Sequence, residues 1–213
     1  MGYISFVGRR RDPASHSPIN MDSFALSFEL TEGVGWAHAK VSVGATTHET
    51  DVSDLTRDPL GSLAQTLIAY VWPEDATFFV IGKREAKVDT EELRTRDFTW
   101  EDEPGGWRWI LRPYRSDAVK VRIEKRSSGA GENLLIDSIC SLQEMARACV
   151  NCIEDLLLKH GIVGYRLKWQ RGDLPLSQYL LLKRWLESPQ YDPRSTESGT
   201  WNNDVAMLRL LKV

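Results

Sequence analysis

Apolar and polar residues alternate along two stretches in the first quarter of the chain. Residues 22–30 alternate, with apolar side chains at 24, 26, 28 and 30, and the alternation returns from 36 to 43 after the turn signal Glu32-Gly33. Successive side chains of a strand point to opposite faces of a sheet, so this period of two predicts two half-buried strands. On the second of them, Trp36 and His38 fall on the polar face.

The period then changes to that of a helix. Asp58 followed by Pro59 is typical of a helix start, and apolar residues follow at spacings of three and four until Pro73. A second helix is predicted to begin at the capping box 141–144 and to end at Gly161, because glycine is a common helix stop. A third helix is predicted from 173 to 186.

Between the first two helices the period is two again. The alternation runs through four stretches: 97–102, 107–112, 118–125 and 133–139. The segments between them are short and rich in turn-forming residues, which predicts an antiparallel meander.

This order of elements predicts an α+β fold. We expect a mainly antiparallel sheet with about three helices packed largely on one face. A single domain would span 1–188, with loop-like or solvated segments at 9–20 and 83–97. Residues 189–213 would form a C-terminal arm that ends in a short strand.

Composition narrows the class of protein. The 213 residues are 42% hydrophobic and carry a net charge of −3, so no whole face has the cationic surplus that nucleic acid requires. Three cysteines, an odd number, argue against a disulfide framework and for a reducing compartment. No apolar run approaches a membrane span, and the first residues do not form a secretory signal. We therefore expect a cytoplasmic protein with no membrane partner, for which nucleic acid binding is unlikely.

Catalytic and metal-binding patterns are weak. Cys149 and Cys152 form a C-x-x-C in mid-helix on the apolar stripe, which favours core packing over redox or zinc chemistry. The sequence shows none of the nucleophile, zinc-protease or phosphate-loop motifs. We predict no catalytic residue, no metal ligand and no cofactor.

The first hairpin of the meander, WEDEPGGWRW at 100–109, holds the candidate binding residues. With 103–106 as its loop, cross-strand charge and aromatic pairs account for most of its composition. Asp102 and Glu103 are left without a partner at the tip, beside Trp107. Acidic groups next to an aromatic side chain suit a protein interface, so these three residues, with Trp36 and His38, are the predicted partner-binding residues.

Three segments carry a resemblance to known proteins: DVSDLTRDPLGSLAQTL (51–67), WEDEPGGWRW (100–109) and LLLKHGIVGYRLKW (156–169). The chain resembles small bacterial α+β proteins that include candidate immunity proteins of polymorphic-toxin systems. The resemblance covers about half of the chain, and it implies a non-enzymatic binder.

Three hypotheses follow. The first is a protein-binding module, specifically an immunity protein that occludes a cognate toxin domain, because acidic residues would attract a basic toxin surface. The second is an enzyme or small-molecule-binding protein with a pocket between sheet and helices, built around Trp36 and His38. The third is a subunit of a larger assembly that docks through 189–213.

Overall fold

The computed structural model of the protein describes residues 20–32, 35–53, 58–72, 95–127, 130–170 and 172–190. The predicted loop at 9–20, most of the charged segment at 83–97 and nearly all of the C-terminal arm at 189–213 lie outside the described residues.

The first sheet has three antiparallel strands in the order β1 (Phe24–Leu30), β2 (Trp36–Val43) and β3 (Thr46–Ser53). The first two confirm the prediction from the alternating pattern. The third was missed, because its core-facing positions His48 and Thr50 are polar and give no hydrophobic period.

The second sheet is the predicted meander. Its strands β4 (Arg96–Asp102), β5 (Gly105–Arg115), β6 (Ala118–Ser127) and β7 (Ala130–Ser141) pair with their neighbours in chain order, all antiparallel.

The hairpin between β4 and β5 has a different register from the one predicted. Its turn is the two residues Glu103 and Pro104, joined by a cis peptide bond, so Trp100 lies opposite Trp107 instead of Trp109. Gly105 is the first residue of β5, and a Cβ at this position would collide with the carbonyl oxygen of Arg126 on β6. A displacement of two residues keeps every side chain on its predicted face.

Within the described residues, three helices accompany the sheets: α1 (Pro59–Val71), α2 (Leu142–Trp169) and α3 (Leu176–Glu187). The start of α2 is capped as predicted, since the hydroxyl of Ser141 accepts a hydrogen bond from the backbone amide of Glu144 at 3.4 Å. The predicted end at Gly161 is wrong. Gly161 has φ +65° and ψ 174° and only kinks the helix, which continues for eight residues and buries Tyr165 and Trp169.

Side chains from both sheets and all three helices share one hydrophobic core cluster. Phe28 of β1 lies edge-on to Trp100 of β4 and to Trp169 of α2, with ring centroids 6.2 and 5.6 Å apart. The indole of Trp100 donates a hydrogen bond to the carbonyl oxygen of Pro59 at 3.0 Å, which ties β4 to the start of α1. The predicted α+β class, with helices packed on antiparallel sheet, is confirmed.

Candidate functional site

Trp107 was predicted as a partner-binding residue beside the hairpin tip, but the structure buries it. Its side chain is 1% exposed, and its ring lies edge-on to His48 of β3 with centroids 6.3 Å apart. The observed register moves Trp107 from beside the tip to a position opposite the buried Trp100. It is therefore a core residue that anchors the second sheet against β3.

The two acidic residues of the tip have different surroundings. Asp102 was expected to lack a partner, but its carboxylate accepts a hydrogen bond from the hydroxyl of Thr50 at 2.6 Å, and the ammonium of Lys125 lies 3.8 Å away. This carboxylate joins β3 of the first sheet to β4 of the second. Glu103, in the turn itself, is exposed, so it is the residue of the predicted tip that most fully faces solvent.

Trp36 and His38 lie on the outer face of the first sheet, away from the core. Nδ1 of His38 is 3.0 Å from Asp51, Nε2 is 3.6 Å from Glu49, and Lys40 pairs with Glu49 at 2.8 Å. His38 is half exposed and Trp36 half buried. Among the described residues, this row of partnered side chains lies on the outer face of the sheet, whereas the second hypothesis placed His38 in a pocket between sheet and helices.

The tip and the His38 row also do not form one site. Thr50, which holds Asp102, points to the core side of β3, whereas its neighbour Asp51 points to the outer side with His38. Asp102 and His38 were predicted to belong to one binding surface because of their chemistry. They lie on opposite sides of β3, because successive residues of this strand face opposite sides of the sheet.

The C-x-x-C cysteines are buried in the core, as their place on the apolar stripe indicated. Burial raises the pKa of the Cys149 thiol to about 12, so it stays protonated and unreactive near neutral pH. Among the described residues, no group of three or more His, Cys, Asp or Glu side chains could hold a metal ion.

An exposed apolar surface lies on the second half of α2, which the predicted helix end at Gly161 had hidden. Leu158, Val163 and Leu167 are 70, 71 and 71% exposed, and Ile162 is 46% exposed. We call these four residues the α2 patch. Exposed apolar side chains are ordinary when scattered, whereas several on one stretch of helix make that surface a candidate for binding.

The helical period explains why the patch faces outward. Tyr165 and Trp169, four residues apart, are buried together on one side of the helix, and Val163 and Leu167, also four apart, share the opposite side. The end of α2 is fixed by these two aromatic anchors and by the amide of Gly35, which donates a hydrogen bond to the carbonyl oxygen of Lys168 at 2.7 Å.

The surroundings of the patch are basic. Lys159, Arg166 and Lys168 lie on the same stretch of helix, and Arg166 is paired with Asp173 at 2.6 Å. Burial and the charges of Lys168 and Lys159 lower the pKa of His160, which therefore adds little positive charge at neutral pH. Neither of these lysines has a carboxylate partner among the described residues, so the border near Val163 and Leu167 is cationic, whereas the exposed Asp155 lies one helical turn before Leu158.

A second feature that the sequence did not reveal is a groove of about 650 Å³ along α1, bordered by the start of β4 and by Gln178 of α3. Asp58 lies at one end, and burial raises its pKa to about 6 although the amides of Gly61 and Leu60 partly stabilise the charge. One carboxylate oxygen of Asp58 is buried without a hydrogen-bond partner. The sequence identified Asp58 as a helix cap and gave no sign of a groove.

Comparison of the chain with protein-family models, curated proteins and solved structures gave no match. Within the described part of the chain, no helix is both long enough and apolar enough to span a membrane.

Proposed function

We propose that this protein is a non-enzymatic protein-binding module that engages its partner through the α2 patch. The carrying observation is that Leu158, Val163 and Leu167 remain about 70% exposed on a helix whose other side is fully packed. Burying a leucine or valine completely is worth about 1.5–3 kcal/mol, so an uncovered trio supports an interface of substantial affinity.

The basic residues beside the patch support a partner with acidic groups. Lys159 and Lys168 flank the apolar side chains, and a partner with carboxylates around an apolar groove would complement them. Such charges raise the association rate and fix the orientation, while the apolar contacts supply most of the affinity.

An immunity protein that occludes a toxin domain is the specific form of this proposal. It is supported by the resemblance of the segments 51–67, 100–109 and 156–169 to proteins of that kind, the last of which contains the α2 patch. We expect a toxin domain that binds the α2 patch to carry acidic residues around its contact surface. This expectation does not depend on the charge of the toxin's own active site.

The test measures binding of the purified protein to each protein encoded beside its gene, by isothermal titration calorimetry. Leu167→Asp should weaken the complex at least about tenfold, because it removes about 1.4 kcal/mol or more of apolar contact. The matched control is Leu134→Asp, the same change at a leucine of β7 that is 48% exposed, which should leave the affinity unchanged.

Two results would overturn the proposal. If no neighbour-encoded protein binds, or if Leu167→Asp binds as tightly as the original protein, the α2 patch is not the interface. If the protein alone dimerises by analytical ultracentrifugation and Leu167→Asp is monomeric, the patch is covered by a second copy and not by an acidic partner.

A further inference from the structure

Two glycines lie on the stretch of α2 that carries the α2 patch, and the backbone conformation explains only one of them. Gly161 has φ +65° and ψ 174°, which glycine adopts far more readily than any other residue. Gly164 lies after the kink in regular helix, and its φ is not positive. A residue with a Cβ could therefore adopt the conformation of Gly164.

The space around Gly164 does not require glycine either. Outside the backbone of the helix itself, a Cβ built on Gly164 would lie within 4 Å of one described atom, the Cβ of His160 at 3.6 Å, which is an ordinary van der Waals contact. Glycine is less favourable than alanine inside a helix, because it loses more conformational freedom on folding. The described fold therefore gives no reason for glycine at 164, and alanine would make the helix more stable.

The residues around Gly164 form a shallow notch on the surface of α2. Positions three and four residues apart are neighbours on a helix, so His160 lies on one side of Gly164 while Leu167 and Lys168 lie on the other. Burial and the charge of Lys168 lower the pKa of His160, which agrees with this placement of the lysine near the imidazole. We call the space above the bare backbone of Gly164, between these three side chains, the Gly164 notch.

The walls of the Gly164 notch offer mainly apolar contact. Leu167 is exposed and aliphatic, and His160 is largely neutral at neutral pH because its pKa is lowered. Lys168 contributes the methylene groups of its side chain to the wall, with its ammonium group at the rim. A group that fills this notch would be apolar, with an acidic group beside it to meet the ammonium.

We propose that Gly164 is a specificity-determining residue of the α2 patch, and that the partner inserts one large apolar side chain, with a carboxylate next to it, into the Gly164 notch. Interface residues that contribute most to affinity commonly fill such pockets on the other protein. A side chain at 164 would occupy the notch and hold the partner away from the helix. This inference rests on the proposed function and adds the contact that selects the partner.

The test uses Gly164→Ala and Gly164→Leu in the full-length protein. Each variant is titrated by calorimetry with the neighbour-encoded protein that binds the original protein. We expect Gly164→Ala to weaken binding at least about fivefold and Gly164→Leu at least about fiftyfold, because extra atoms in a packed contact are costly. The matched controls are Gly131→Ala and Gly131→Leu, at an exposed glycine of β7 where a Cβ would meet nothing within 4 Å. These controls should leave the affinity unchanged.

Thermal melts of the free variants separate a binding contact from damage to the fold. Gly164→Ala should melt at or above the temperature of the original protein, so its affinity should fall while its stability does not. The inference is overturned if both Gly164 variants bind as tightly as the original protein, or if Gly164→Ala lowers the melting temperature, because the fold would then require the glycine. If Leu167→Asp weakens binding and the Gly164 variants do not, the α2 patch remains the interface and only the role of the notch is refuted. If no neighbour-encoded protein binds, both proposals fail.

Discussion

Asp58→Asn is expected to stabilise the protein at alkaline pH and to have little effect in acid. The Asp58 carboxyl has its pKa raised from 3.8 to about 6 by burial. A difference of about two pH units corresponds to a cost of about 3 kcal/mol for the charged form in the folded state. Asparagine keeps the shape and remains a good residue at a helix start, but it carries no charge to desolvate.

The sign follows from proton binding. Between pH 3.8 and about 6 the folded state holds a proton on Asp58 that the unfolded state has released. The contribution of Asp58 to stability is therefore most favourable below this window, and it is lost as the pH rises through about 6. We expect Asp58→Asn to be about 1–3 kcal/mol more stable than the original protein at pH 8. The difference should fall below about 1 kcal/mol at pH 4, where the carboxyl is neutral in the folded state and only partly ionised in the unfolded state.

Urea denaturation followed by circular dichroism at pH 4, 6 and 8 measures this difference directly. Other titrating groups are common to both proteins and cancel. The matched control is Asp155→Asn at an exposed aspartate of α2, which should show no comparable dependence on pH. A difference for Asp58→Asn that is constant across the pH range, or a loss of stability at pH 8, would refute the claim that a buried, incompletely solvated charge is held at this position.

Two further predictions concern residues that the sequence misplaced. Gly161→Ala should destabilise the protein by about 1–3 kcal/mol in thermal melts, because φ +65° with ψ 174° is accessible essentially only to glycine. The control is Gly164→Ala in the same helix, where a Cβ would lie 3.6 Å from that of His160. This control should be neutral or stabilising. Trp107→Ala should lower the free energy of unfolding, measured by urea denaturation, by about 3–5 kcal/mol, as expected for a packed core residue. A loss below about 1 kcal/mol would contradict the buried position of Trp107.

Much of the fold could be predicted because burial imposes a period on the sequence. The meander and the first two strands follow from alternation, and the helix starts follow from Asp58 and Ser141. Strand β3 was not predicted, because His48 and Thr50 face inward but make polar contacts there. Nε2 of His48 lies 3.2 Å from the carbonyl oxygen of Leu135, and the hydroxyl of Thr50 donates a hydrogen bond to Asp102. A polar side chain that is satisfied in the core leaves no hydrophobic signal.

The candidate sites were harder to predict for two physical reasons. A two-residue change of register leaves the pattern of faces intact, so the alternation around Trp107 is compatible with both an exposed and a buried position. Gly161 allows either a helix stop or a kink, and the choice depends on whether Tyr165 and Trp169 find a core to enter. Because they do, Val163 and Leu167 are turned outward, and only the folded chain shows that they form a surface.

Polar groups that are already paired within the protein gain little from binding a partner. This separates the paired residues of the sheets from Asp58 and the α2 patch. His38 with Asp51, Lys40 with Glu49 and Asp102 with Thr50 are locally paired, so their exposure or their chemistry alone does not indicate binding. The charged form of Asp58 lowers the stability of the fold, and one of its oxygens has no hydrogen-bond partner. Leu158, Val163 and Leu167 remain exposed to water and so add no burial energy to folding. Stability alone would favour an uncharged residue at position 58 and polar residues on that side of α2, so neither feature is explained by the fold; at the α2 patch, the proposed partner would supply the missing contacts.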